Sequence, residues 1–157
     1  MADVLWKIAH RHLPVGVPVT HIAPDGPHCP WCKGTLNSIS HLFQQCPIAN
    51  AVWSVTTSMA QILTPSNTNF PFIYLIHTRN KFKQRYARLL QSAAIQAIWL
   101  AYTKWAFGHE PLLNREQVLN LLLSLVLKYR NSDLYSHPNC PWPHYSRFQH
   151  LIPQRGN

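Results

Sequence analysis

The sequence predicts a mainly α-helical fold, a small bundle of three to four helices with one cysteine-rich loop docked on it. Three observations carry this. The chain has 157 residues, 46% of them apolar, which is enough for a single buried core. Apolar residues recur three and four apart over long stretches, the period of a helix buried on one side. Three of the four cysteines, Cys29, Cys32 and Cys46, fall within residues 29–46, with His41 between them.

Residues 3–12 read as a short helix, capped by Asp3 and apolar on one side through Leu5, Trp6, Ile8 and Ala9. Pro14, Gly16 and Pro18 end it, and "APDGPHCP" at 23–30 is a turn that delivers the chain to Cys29. Ser38 or Ser40 can cap one or two helical turns over "HLFQQ", and Pro47 punctuates them. A helix over about 48–63 follows from Val52, Val55, Met59 and Ile62 on one face. "TPSNTNFP" at 64–71 is a loop. "FIYLIH" at 72–77 is short and apolar, and its pattern does not separate a strand from a buried helical turn. The longest helix runs over about 81–107. Its middle, "AAIQAIWLA", is apolar nearly all round and belongs in the core. "NREQ" at 114–117 is a capping box that opens a leucine-rich helix to about residue 130. Beyond it, the proline-rich, aperiodic residues 131–157 read as a basic tail. The helical part thus spans 48–130 of a domain expected over 1–130.

The cysteine-rich loop, 27–47, has the spacing C-x2-C-x8-H-x4-C through Cys29, Cys32, His41 and Cys46. Two thiolates three positions apart grip one tetrahedral ion from a tight turn. Gly34 permits a positive φ that folds the backbone around the sulfur. The His–Cys pair, on and just after a helical turn, converges from another direction. Mixed sulfur and imidazole donors suit Zn2+, and four protein ligands leave no place for water or substrate. The expectation is one structural zinc in a CCHC zinc knuckle. Three thiolates leave the site formally at −1, which gives Lys33 an electrostatic use.

Trp6-Lys7, Leu13-Pro14-Val15-Gly16, Cys29, Cys32, His41-Leu42-Phe43, Cys46-Pro47 and Val52-Trp53 occur in an order that resembles a known family. It is the zinc-binding domain found C-terminal to the reverse transcriptase of non-LTR (LINE-type) retrotransposons. The likeness covers about residues 4–54, with a weaker echo at Ile98-Trp99. It implies a nucleic-acid-binding module of a retroelement polyprotein, and it makes the polymerase domain of such a parent a possible partner. The endonuclease and polymerase domains of such a parent are missing here, so the chain reads as a detached piece or a frame from a decayed element.

Charge points the same way. Residues 1–78 hold three bases (Lys7, Arg11, Lys33) against two acids (Asp3, Asp25), whereas residues 79–157 hold eleven against three, a net +8. Such a balance suggests a polyanion, and nucleic acid is the usual one. The densest basic stretch is "RNKFKQRYAR", with Arg79, Lys81, Lys83, Arg85 and Arg88. Lys81, Arg85 and Arg88 share one helical stripe, and bases at a helix start oppose its dipole, which a phosphate partner would explain. A solvated helix face explains the same stripe equally well. Trp31, between the first two ligands, either stacks on an unpaired base or packs onto the zinc turn's own helix. RNA or single-stranded DNA is therefore the expected partner, through Trp31, Lys33, Arg79, Lys81, Lys83, Arg85 and Arg88. A protein-interaction module docking its leucine-rich helix on a polymerase domain is the alternative, and a relic without function is a third reading.

Catalysis is not expected. Two-metal phosphoryl chemistry needs converging carboxylates, and the five acids Asp3, Asp25, Glu110, Glu116 and Asp133 are never adjacent or four apart. There is no Gly-rich phosphate loop and no G-x-S-x-G elbow. His137, Cys140 and His144 in the tail offer one sulfur among prolines, a poor second metal site. With no signal-peptide pattern and no apolar run of about 18 residues, an intracellular protein, nuclear or cytoplasmic, is expected. Neither a membrane nor a small-molecule substrate is a predicted partner.

Overall fold

The structure is a computed structural model and describes residues 4, 7–8, 10, 12–33, 35–62, 81–143, 148 and 150–151, without the side chains of residues 81 and 83. The expected loop at 64–71, the apolar segment at 72–77, Arg79, Gly34 and half of the first predicted helix lie outside these residues. Val4, Lys7 and Ile8 are helical, in keeping with that first helix.

Three long helices form the body: α1 (Pro47–Gln61), α2 (Lys81–Ala106) and α3 (Arg115–Ser136). They pack on one another in all three pairings. Among the described residues there is no strand, and the single β-bridge pairs His28 with Leu36. None of the described helices is long and apolar enough to cross a membrane.

Each helix forms for a reason visible in its sequence. Pro47 occupies the first position of α1, where its missing N–H costs nothing. Ile48, Val52 and Met59 are buried along it. The middle of α2 buries Ala93, Ala94, Ile95, Ala97, Ile98 and Ala101, the segment predicted to be apolar all round. Helix α3 opens on the predicted capping box. Asn114 Oδ1 accepts from the Gln117 N–H at 2.9 Å, and Gln117 Oε1 accepts from the Asn114 N–H at 2.9 Å. Leu119, Leu122 and Val126, three and four apart, are buried on its inner face.

The end of α3 differs from the sequence reading. The helix runs to Ser136 instead of stopping near residue 130. "NSDLYS" has no apolar period, but Asp133 is fixed from outside the helix, by Arg85 of α2 and by Trp142. The segment behind the helix also packs: Trp142 and Phe148 are buried, and the Trp142 ring meets Tyr86 edge-on at 4.8 Å between centroids.

The cysteine-rich loop and its helical turn sit against this body. Phe43 stacks with Trp99 of α2 at 6.4 Å, and the Trp53 indole donates to the Phe43 carbonyl at 2.7 Å. Trp31, from the tip of the loop, donates its indole N–H to the carbonyl of Leu113 at 2.8 Å. The loop is thereby fastened to the start of α3, 82 residues further along the chain.

Candidate metal centre

Residues 28–37 make a tight hairpin-like turn. The Cys29 N–H donates to the Thr35 carbonyl at 2.9 Å, and the Lys33 N–H donates to the Cys29 carbonyl at 3.0 Å. Lys33 itself takes a positive φ of 32°. The positive φ expected at Gly34 concerns a residue outside the described ones. This turn sets Cys29 and Cys32 side by side.

The other two donors come from one wide helical turn. Ser38, of the two predicted caps, is the one used: its Oγ accepts from the His41 N–H at 3.0 Å. His41–Gln45 then widens into a π-type turn, closed by the Cys46 N–H donating to the His41 carbonyl five residues back at 2.8 Å. Residues five apart on an α-helix point about 140° away from each other. The wider turn, followed by extended backbone at Cys46 (φ −64°, ψ 137°), lets both side chains reach one point.

Cys29, Cys32, His41 and Cys46 bring their donor atoms within 4.8 Å of one another. The Sγ atoms of Cys29 and Cys46 are 3.9 Å apart, and those of Cys32 and Cys46 3.7 Å apart. Disulfide bonding needs about 2.05 Å, so these are free thiols. Zn–S bonds of about 2.3 Å in a tetrahedron place two sulfurs about 3.8 Å apart, which the observed spacings match. The His41 side chain is buried, and its Nε2 has no hydrogen-bond partner. A buried imidazole nitrogen left open toward three thiols is what a metal ligand requires. The four residues hold one structural zinc.

The electrostatics fit the same ion. The Cys29 thiol hydrogen-bonds to Cys46 and pushes the Cys46 pKa down to about 5. Burial opposes this, while the N–H groups of Ile48 and Ala49 at the start of α1, and the Cys32 thiol, assist. Cys46 is the residue that caps that helix, so its thiolate meets the positive end of the dipole. Cys29 is driven up, first by its bond to Cys46, then by burial and by the Cys46 charge. Cys32 is raised by burial and by Cys46. The protein alone therefore favours one thiolate of the three, and a dication supplies the charge that lets the other two ionise.

The residues singled out for nucleic acid differ in how much of each the fold leaves exposed. Lys33 is exposed beside the metal ligands, and Arg88 is exposed on α2. Trp31 is half-buried, with its N–H spent on Leu113. Arg85 lies with its Nε 3.0 Å from Asp133 Oδ1, its guanidinium 5.8 Å from the Phe82 ring centroid, and its Nη2 donating to Cys140 Sγ. Of Lys81 and Lys83 only the helical backbone is described.

Two features of the site had no reading in the sequence. Gly16 has φ 75°, and a Cβ there would lie 2.1 Å from the Asn37 carbonyl oxygen. Only glycine lets these two stretches of backbone cross. The sequence signal is a glycine between Pro14 and Pro18, a pattern that equally fits a helix terminator. Tyr102, fully buried on α2, is the other: burial raises its pKa, and the Asn37 side chain and Gly16 backbone beside it counter that rise. No local pattern marks this contact.

Residues 1–53 match the model of a family described as zinc-binding in reverse transcriptase. The matched stretch contains all four metal ligands and ends within α1. The resemblance to a retrotransposon-type zinc-binding domain is therefore shown over the first third of the chain, and α2 and α3 lie beyond it. No curated protein and no solved structure matches the chain.

Proposed function

We propose that this chain is a zinc-stabilised nucleic-acid-binding module for RNA or single-stranded DNA, of the kind that follows the polymerase of a non-LTR retrotransposon. The carrying observation is charge: net +9 for the whole chain, with eleven bases against three acids in residues 79–157. Arg88, Arg115 and Lys128 are exposed there, and Lys33 is exposed beside the metal ligands. In this reading the zinc shapes the surface and performs no chemistry, because its four protein ligands complete the tetrahedron. The module has no catalysis of its own and works inside the cell, in the nucleus or cytoplasm.

The test is binding of the zinc-loaded chain to labelled single-stranded RNA, single-stranded DNA and duplex DNA at several salt concentrations. Log affinity for single strands should fall with log salt by about 0.7 per phosphate engaged. Replacing Lys81, Lys83 and Arg88 together by alanine should flatten that slope by about 2. An unchanged slope in the triple variant would reduce these bases to a solvated face.

One observation favours a second reading, a protein-interaction module that docks on a polymerase domain. Val17, Ile22 and Leu36 are 72%, 53% and 61% exposed, all close to the metal loop in sequence. Ile22→Ser with Leu36→Ser would weaken protein docking and leave oligonucleotide affinity unchanged.

A further inference from the structure

Arg85 is a member of the basic stripe that another part of the chain occupies. Its neighbour Arg88 is exposed, whereas the Arg85 side chain is one-third exposed (33%) and the Asp133 carboxylate facing it only 8%. Asp133 takes three partners: Arg85 Nε at 3.0 Å, the Trp142 indole N–H at 2.6 Å and His137 Nδ1 at 3.4 Å. Cys140 lies on the same guanidinium through its Sγ. Trp142 closes the arrangement from above, buried against Tyr86. A carboxylate this buried is costly unless it is paired, so while Trp142 is seated Arg85 cannot leave Asp133 without a large penalty. Once Trp142 lifts, water reaches the pair and it becomes a weak surface ion pair. A phosphate then competes with Asp133 on equal terms.

We propose that the end of α3 and the segment 137–143 behind it form an autoinhibitory strap. Through Asp133, Cys140 and Trp142 the strap withholds Arg85 from a polyanion, and its release adds Arg85 to the basic face of α2. The proposal rests on the polyanion-binding reading above, and it makes a covered arginine a reserve contact.

The experiment uses the zinc-loaded full chain, a labelled twelve-residue oligouridylate and the variants Asp133→Asn, Trp142→Phe, Arg85→Ala and Asp133→Asn with Arg85→Ala. Trp142→Phe keeps an aromatic ring against Tyr86 and drops only the N–H, so it guards against simple unfolding. Asp133→Asn should steepen the salt slope by about 0.7 and raise affinity about fivefold at 0.1 M salt, one added phosphate contact. Trp142→Phe should move the same way by less. Arg85→Ala alone should change affinity less than twofold, and in the double variant it should abolish the gain. A gain that survives in the double variant, or a loss on Arg85→Ala alone as large as that gain, overturns the strap. If no variant binds the oligonucleotide, the polyanion reading has failed, and labelling by phenylglyoxal still decides the strap. Arg85 should then react several-fold faster in Asp133→Asn and Trp142→Phe than in the unmodified chain, and equal rates would refute it.

Discussion

Between Leu13 and Cys46 the chain makes little regular structure. Its apolar burial is thin: Leu13, Val15, Val19, Ala23, Leu42 and Phe43, with the cysteines Cys29 and Cys46. Helices α2 and α3 instead bury a continuous face, from Tyr86 to Ala106 and from Val118 to Val126. The first region closes its shape with a metal and a few backbone crossings, the second with apolar area and one capped helix start. The contrast separates two kinds of failure. Removing a ligand from the first region should undo it as a unit, since bound metal and folded loop are one equilibrium. Removing a side chain from the second should cost only its own packing.

The largest effect should come from Cys46→Ser. It removes a ligand and the sulfur that sits at the start of α1. We expect loss of stoichiometric zinc by metal analysis and fast amide exchange over residues 20–50. The core of α2, around Ala93–Ile98, should keep its protection. A variant that retains one zinc per chain would remove Cys46 from the ligand set. Next comes Leu122→Ala, a fully buried leucine on α3, with an expected cost of about 2–5 kcal/mol in denaturant unfolding and unchanged zinc stoichiometry. Zinc loss in this variant would mean that the two regions unfold together.

How far each region could be read in advance follows from the same contrast. The metal loop was legible because ligand spacing is a local signal, C-x2-C and H-x4-C within eighteen residues. The capping box at Asn114 and Gln117 and the apolar core of α2 were legible for a similar reason, since each is written within one or two turns. What was missed depends on distant partners. The last turns of α3 are held through Asp133 by Arg85, 48 positions earlier, and by Trp142. Arg85 looked like one of a row of free bases because nothing near it in sequence announces Asp133. Trp31 was readable as an aromatic beside the metal, but Leu113 as its partner was not.

Gly16→Ala probes the backbone crossing. The added Cβ would meet the Asn37 carbonyl at 2.1 Å, and φ 75° strains any residue with a Cβ. A cost of about 2–3 kcal/mol is expected, confined to the metal region and measurable as weaker zinc retention against a chelator. A variant as stable as the parent would show that residues 16 and 37 separate easily.

High pH should act on the helical region instead. The Tyr86 hydroxyl donates to the Met59 carbonyl at 2.8 Å, and burial raises its pKa well above the usual tyrosine value. Tyr102 and Tyr129 are raised as well, mainly by burial. A raised folded-state pKa contributes stability that is complete below the unfolded value, about 10, and is lost as pH climbs past it. At pH 11 the loss for Tyr86 alone should be about 1.4 kcal/mol. The thiolates at the metal gain nothing to protonate as pH rises, so zinc should stay bound while the helices weaken. Unfolding midpoints that do not fall between pH 9 and 11 would contradict the burial of these hydroxyls.

The smallest expected effect tests the join between the regions. Trp31 Nε1 to the Leu113 carbonyl is the hydrogen bond that ties the metal loop to the residue preceding the Asn114 cap. Trp31→Phe keeps an aromatic ring and drops the donor, so stability should fall by only about 1 kcal/mol. Its value lies in the coupling. In the parent chain, chelating the zinc should speed amide exchange at Gln117–Leu119, because the loop that holds Leu113 has let go. In Trp31→Phe the same amides should exchange at one rate with or without zinc. If they still respond to the metal, the link runs instead through Phe43 and Trp99, which stack α2 against the metal's own helical turn. The aromatic pair would then carry the connection.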